Sequence, residues 1–367
     1  MVDLLIVGGG VVGLSLAYET AAAGLSVRVI DRGPPGREAS WAGAGILPPT
    51  GDTPTDDPVL QLHRLSNTLH AEWAGRLREE TGVDNGFRRC GGIYLARDAA
   101  TDDDLRKTAR EWRELGITAE TLTPGELADI EPALDPQAIS SCYLLRDEAQ
   151  LRNPRHLKAL LAGCSQRGVE VSPGAAAEEF RIRDGRITQV ETTNGPITAS
   201  QICITSGPWA KALLARLGVK VGMKPIRGQM VLVCGPHPVL RRVVNDGPRY
   251  LVPRGDGRVL IGSTEEDAGF DKRTTADGVS GLLEFAVRLA PGLRQAQFEQ
   301  CWAGLRPATL DGLPYLGRLP ELENAFLAAG HFRSGLQLSP GTALVMSRLI
   351  QGLEATIDLR PFRVQRG

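Results

Sequence analysis

The 367-residue chain carries no excess of either charge: 42 lysines and arginines stand against 43 aspartates and glutamates, a net charge of −1. A nucleic-acid partner, which calls for a basic face, is therefore not expected. Aromatic residues make up only 5% of the chain and histidines number five. Its six cysteines, Cys90, Cys142, Cys164, Cys203, Cys234 and Cys301, include no CxxC pair and no histidine at ligand spacing. They read as reduced thiols, and no metal is expected. The longest uncharged apolar stretch, Leu4 to Tyr18, is broken by glycine and too short to cross a bilayer, and Asp3 sits where a secretory leader would be basic. No membrane partner is expected, and the cytoplasm is the expected location. His63 and His70 lie two turns apart on one helical stretch, a spacing that solvated histidines share.

Glycine, by contrast, is abundant, with 43 residues. The segment DLLIVGGGVVGLSLAYETAAAGLSVRVID concentrates it where strand, turn, helix and strand succeed one another. Gly8, Gly10 and Gly13 keep GxGxxG spacing, and Asp31 ends the second strand. Gly8 serves the tight turn, Gly10 lets backbone amides approach a pyrophosphate, and Gly13 seats the helix on the strand. The helix N-terminus then faces an anion, and Asp31 suits a ribose 2′-OH. A turn of this kind that binds nothing is the competing reading. The β-rich run before it, and Leu14, Tyr18, Ala21 and Leu25 at helical spacing after it, weigh against that.

Downstream, REASWAGAGILPP is a small-residue segment and TGDTPTDDP a surface connection. Helices are predicted over Pro58 to Thr81 and Asp102 to Leu115, with GGIYLA and SSCYLLR as strands of a different sheet. Pro154 opens a further helix, and Asp184-Gly185 turns a hairpin in FRIRDGRITQVET. QICITSGPWA is a buried strand running into a small-residue turn. QMVLVC, RYLVP and RVLIGS form a second group of strands, followed by an apolar helix through Leu282 to Leu289. A closing helix is predicted from Pro340 to Gly352. This alternation implies a nucleotide domain assembled from N-terminal, central and C-terminal pieces, with a second sheet domain inserted in two parts.

Several segments together resemble the glycine oxidase and D-amino-acid oxidase group of FAD-dependent amine oxidoreductases. They are the opening βαβ with Asp31, ASWAGAGIL (Ala39 to Leu47), TSGPWA (Thr205 to Ala210), YLVPR (Tyr250 to Arg254), GLRPATLDGLPYLG (Gly304 to Gly317) and GHFRSG (Gly330 to Gly335). The resemblance implies an α/β fold in which a Rossmann-like FAD-binding domain of the glutathione-reductase type (1–85, 146–222 and 300–367) is interleaved with an α+β substrate domain on a mixed or antiparallel sheet (86–145 and 223–299). It implies noncovalent FAD, its pyrophosphate over Gly8, Gly10, Val11, Val12 and Gly13, and its ribose on Asp31 beside Arg32. Ala39, Ser40, Gly43, Ala44, Gly45 and Ile46 would line the flavin and Ala177 would pass the adenine. Ser206, Gly207 and Trp209 would form a second turn along the dinucleotide, and His331, Arg333, Ser334, Gly335 and Leu336 would close on the isoalloxazine. Arg306 would bind the substrate carboxylate, Tyr250 would supply a hydroxyl at the pocket wall, and Arg333 is a further candidate there.

The chemistry of these residues agrees with the resemblance. A planar guanidinium offers parallel donors to a carboxylate and keeps its charge when desolvated. Arg306, in the apolar run WAGLRPATL, could equally pair with Asp311, and Tyr250 could be a core aromatic. The implied activity is oxidative deamination of glycine, sarcosine or D-alanine to an imine and 2-oxo acid, with dioxygen yielding hydrogen peroxide, or with the imine feeding thiazole synthesis for thiamine. The alternatives are a D-amino-acid dehydrogenase passing electrons to a quinone, and an inactive flavin-binding module. The family suggests a homo-oligomer, a tetramer. Relatives with covalent flavin carry a cysteine near the segment 304–317, and this chain has none there. Acid or heat denaturation should therefore release free FAD; flavin absorbance that stays with the precipitated chain would contradict this.

Overall fold

The computed structural model describes residues 1–235 and 239–366. Two large sheets organise it. The first runs, edge to edge, Tyr315–Arg318, Ala325–Ala329, Ala199–Ile204, Val2–Val7, Val27–Asp31 and Glu170–Pro173. Every neighbouring pair is parallel except the first. Parallel strands connected by helices are covered on both faces, which is why LLIV reads as a continuous apolar run with no alternation. Leu4 and Ile6 pack with the helices Val11–Ala22, Asn153–Gln166 and Gly335–Ile350 on one face. Leu5 and Val7 pack with Ile187, Val190 and Leu214 on the other.

The second sheet contains eight strands in the order Gln297–Thr309, Met223–Cys234, Arg258–Gly262, Arg249–Pro253, Val243–Asp246, Gly92–Ala96, Ser141–Leu145 and Glu120–Thr121. Its pairs are antiparallel, apart from the parallel pair Val243–Asp246 with Gly92–Ala96. The helix Ala276–Leu289 covers one face with Leu282, Phe285, Ala286 and Leu289. Met230, Val252 and Leu260 face the other way, toward Ala44.

Several sequence expectations shift. A boundary at residue 300 would cut the strand Gln297–Thr309, which pairs with Met223–Cys234 from Met223↔Thr309 to Cys234↔Gln297, so residues 300–309 lie in the second sheet. Arg88–Arg89 likewise joins a small sheet with Ile46–Leu47 and Ala149–Gln150. The helix expected at Asp102 begins at Ala99, because Asp98 and Thr101 form a reciprocal capping box. The closing helix begins at Gly335, five residues before Pro340, which sits inside it.

Proline lacks the N–H that would reach the carbonyl of Leu336, and a buried carbonyl left unpaired is costly. Here Leu336 O accepts from Ser339 Oγ at 2.9 Å and lies 3.0 Å from His70 Nε2, which also reaches Gln337 O at 3.0 Å. His70 is therefore a buried structural residue and not a solvated one, while His63 is half-buried.

Burial holds three histidines neutral: it pushes His70 down to about 4, His156 to about 3 with help from His70, and His331 to about 4. Unfolded, each titrates near 6.5, so below that pH the unfolded chain takes up protons that the native one excludes. Their contribution to stability is complete above about 6.5 and is lost as pH falls toward 4. His70→Gln keeps an N–H donor without titrating. It should flatten the pH dependence of unfolding free energy in this window by about 1.4 kcal/mol per pH unit. An unchanged slope in denaturant titrations would show that His70 is not buried neutral.

Candidate active site

A cleft of about 610 Å³ lies at the carboxyl ends of the central strands of the first sheet and reaches the second sheet. At its nucleotide end, Gly8 has φ +121°, and a Cβ there would lie 2.8 Å from the carbonyl carbon and oxygen of Thr205. A Cβ on Gly13 would lie 2.0 Å from Gly8 O. Two strand-to-helix turns are thus packed backbone against backbone, which only glycine permits. Thr205 Oγ1 donates to Gly8 O at 2.7 Å and Ser206 Oγ to Val7 O at 2.7 Å, fastening the second turn to the first.

Gly10 begins the first helix without a side-chain cap, and the Val11 amide donates to Ser40 Oγ at 2.9 Å. The Val12 backbone also borders the cleft. An uncapped helix start facing an open cleft is a seat for a phosphate group. Asp31 accepts from the amides of Gly9 at 2.8 Å and Gly33 at 3.0 Å, and burial pushes its carboxyl above the ordinary range. The guanidinium carbon of Arg32 lies over the Trp209 ring, 3.6 Å from its centre, and Ala177 and Gly207 border the same end.

In the middle of the cleft, the segment from Ala39 to Ile46 is fixed by groups that sequence reasoning passed over. Asn153 Nδ2 donates to Ser40 O at 2.7 Å, and Cβ atoms on Gly43 or Gly45 would strike Asn153 and Leu151 O. Arg254 is buried, and its guanidinium donates to Ala44 O at 2.7 Å, Gln150 Oε1 at 2.7 Å and Leu151 O at 3.1 Å. YLVPR contains Arg254, yet nothing local marks it as the tie between two sheets. Opposite, Gly330 at φ +84° turns the chain into His331, whose Nε2 lies 3.1 Å from Thr342 Oγ1. Ser334 precedes the helix that starts at Gly335, again without a side-chain cap, and Leu336 borders the cleft.

At the far end the strand Gln297–Thr309 delivers Arg306 into the cleft. Its Nη2 donates to Ser263 Oγ at 2.7 Å and its Nη1 to Thr264 O at 3.2 Å. Arg306 has no ion pair among the described residues; Asp311, the alternative partner, is taken by Arg366 at 2.6 Å. Burial works against the Arg306 charge, Tyr250 supports it, Arg333 opposes it and Glu265 supports it again. Gly228 gives the guanidinium its space, since a Cβ there would lie 2.2 Å from Nη2. Gly228, Ser263 and Thr264 were not anticipated, because strand pairing alone brings them beside Arg306. Tyr250 stands on the neighbouring wall with its hydroxyl 3.5 Å from Met230 Sδ. Arg333 lines the cleft and is paired to Glu265.

The glycine turns, the uncapped helix starts and the elongated cleft suit a dinucleotide with a planar ring system at its inner end. The fold and cleft therefore define a dinucleotide-dependent oxidoreductase. Residues 3–349 match the family described as FAD dependent oxidoreductase. The glycine oxidase of Geobacillus kaustophilus is 37% identical over 99% of this chain and 97% of its own, and the crystal structure of glycine oxidase from that organism superimposes with a TM-score of 0.95 at 36% identity, covering 100% of this chain and 99% of that one. The bifunctional protein ThiO/ThiG of Trichormus variabilis is 33% identical over 95% of this chain and 52% of its own. The chain belongs to the FAD-dependent oxidoreductase family, and its cofactor is FAD. No helix among the described residues is long and apolar enough to cross a membrane.

The Gly228 vacancy has a direct test. Gly228→Ala should displace the Arg306 guanidinium and weaken binding of glycolate by roughly tenfold, with flavin absorbance per chain unchanged. Glycolate affinity equal to that of the parent, measured by calorimetry, would show that the space beside Arg306 is not needed.

Proposed function

We propose that this cleft carries out the oxidative deamination of glycine, or of sarcosine or D-alanine, to an imine that hydrolyses to the 2-oxo acid and ammonia (methylamine from sarcosine), with dioxygen reduced to hydrogen peroxide. The observation that carries the reading is Arg306, a half-buried guanidinium with no ion pair among the described residues, at the inner end of a dinucleotide cleft. A partly desolvated cation held by neutral groups gains most from an anionic ligand. The likeness to glycine oxidases over nearly the whole chain supports glycine as the substrate.

The residues that would hold FAD are the Gly8 to Gly13 turn and Ser40 for the pyrophosphate, Asp31 for the ribose, and the segments 39–46 and 331–336 for the flavin. When bound, FAD supplies acceptance of a hydride equivalent from the substrate Cα. Arg306 fixes the carboxylate through two parallel donors and so sets where Cα stands. Met230 and Tyr250 wall the reacting centre and limit water around it. The acids lining the cleft, Asp31 and Glu38, both lie at the nucleotide end, so the amine loses its proton without a carboxylate base beside it. On this reading the first sheet and its helices bind FAD and the second sheet carries the substrate. Six free thiols are consistent with a reducing cytoplasm. The relation to ThiO/ThiG supports a role for the imine in thiamine thiazole synthesis, and the family resemblance supports a homotetramer.

Anaerobic glycine should bleach the flavin, and air should restore it with peroxide formed in equal amount. Bleaching followed by very slow recovery in air would point to a dehydrogenase, and no bleaching by any small amine to an inactive module. Arg306→Ala should keep FAD and lose on the order of 2–5 kcal/mol of transition-state stabilisation, a factor of tens to thousands in kcat/KM. Arg306→Lys should recover part of it, because an ammonium lacks the forked geometry. Turnover of glycine by Arg306→Ala within about twofold of the parent would assign Arg306 a structural role.

A further inference from the structure

Two arginines face the inner cleft, and they differ in what neutralises them. Arg306 donates to Ser263 Oγ and Thr264 O, stands beside Tyr250 and has no ion pair among the described residues. Arg333 lines the same cleft, yet it turns its Nε and Nη2 to one oxygen of Glu265, the Nε at 3.0 Å. Glu265 itself does not line the cleft. The pair is tied to Arg306 through the backbone on both sides. Glu265 follows Thr264, whose carbonyl Arg306 holds, and Arg333 follows Phe332, whose amide donates at 3.0 Å to the carbonyl of Pro307, the residue after Arg306. Phe332 is held at φ +48°, a backbone region unfavourable for a bulky side chain, so the direction in which Arg333 leaves the chain is imposed by its surroundings. The charges of Arg333 and Glu265 act on Arg306 in opposite senses.

Building on the assignment of Arg306 as carboxylate anchor, we infer that Glu265 is a specificity-determining residue: by occupying Arg333 it restricts the cleft to amino acids with a single carboxylate. A second carboxylate on the substrate nitrogen or side chain would need Arg333 as its partner and would find that guanidinium already neutralised by Glu265 behind it. The rejection comes from an unfavourable charge placed against the wrong ligand, not from a better fit to the right one. The pair is partly solvent-exposed, with side-chain exposures of 37% for Arg333 and 45% for Glu265, so the discrimination is modest and weakens as salt rises.

The test uses two ligands without an amine, methoxyacetate with one carboxylate and diglycolate with two, titrated by calorimetry into the FAD-loaded protein. In Glu265→Gln the ratio of diglycolate to methoxyacetate affinity should rise about three- to tenfold, and the gain should disappear when Arg333→Met is added. The ratio of kcat/KM for iminodiacetate to that for glycine should rise by a similar factor. Glu265→Ala serves as a second variant, with flavin absorbance per chain reporting that the protein is folded and loaded. A change in the ratio below about twofold in both variants, or a gain that survives the loss of Arg333, would overturn the inference while leaving the carboxylate anchor in place. Failure of both ligands to bind even the parent protein would overturn the anchor, and this inference with it.

Discussion

A half-buried guanidinium with no ion pair among the described residues is the constraint on which the inner cleft is built. Desolvating a cation costs several kcal/mol unless something repays it. At Arg306 the protein offers a serine hydroxyl and one carbonyl, with a glycine on the facing strand to leave space. The ladder between Gln297–Thr309 and Met223–Cys234 holds the backbone that carries this cost. In the proposed function an arriving carboxylate would complete the shell, so that binding and orientation would come from one interaction.

The outer half of the cleft follows a different constraint, close approach of backbone to backbone. Gly8 and Gly13 bring the first helix onto the first strand, and the Thr205 turn is drawn against the same point. The helix starts at Gly10 and Gly335 are left without side-chain caps, so their partial positive ends look into the cleft. Burial also explains the histidines. His70 replaces the hydrogen bond that Pro340 removes, and this lets the closing helix start early enough to reach the cleft.

The segment 39–46 is shared by the two sheets. Ser40 touches the first helix, Arg254 from the second sheet grips Ala44, and Trp302 donates to Ala42 O at 3.2 Å. Substrate and cofactor ends are therefore held to one short stretch of small residues. A shift there would change the distance between Arg306 and the dinucleotide seat, on which positioning depends.

What the sequence determined by itself is local. The GxGxxG turn with Asp31, the helix Pro58–Thr81 with its proline start and glycine stop, and the Asp184-Gly185 hairpin all follow from short-range pattern, because turn geometry and helix capping act within a few residues. Arg306 and Tyr250 were legible through the resemblance of their segments and not through any local rule. The tertiary structure alone decided that residues 300–309 belong to the second sheet, that Pro340 lies inside a helix, and that Gly228, Ser263 and Thr264 surround Arg306. It also decided that Arg254 bridges the sheets and that Glu265 takes Arg333. The physical reason is common to these cases: each depends on a partner dozens to hundreds of residues away, and strand register across a sheet sets which side chains meet there.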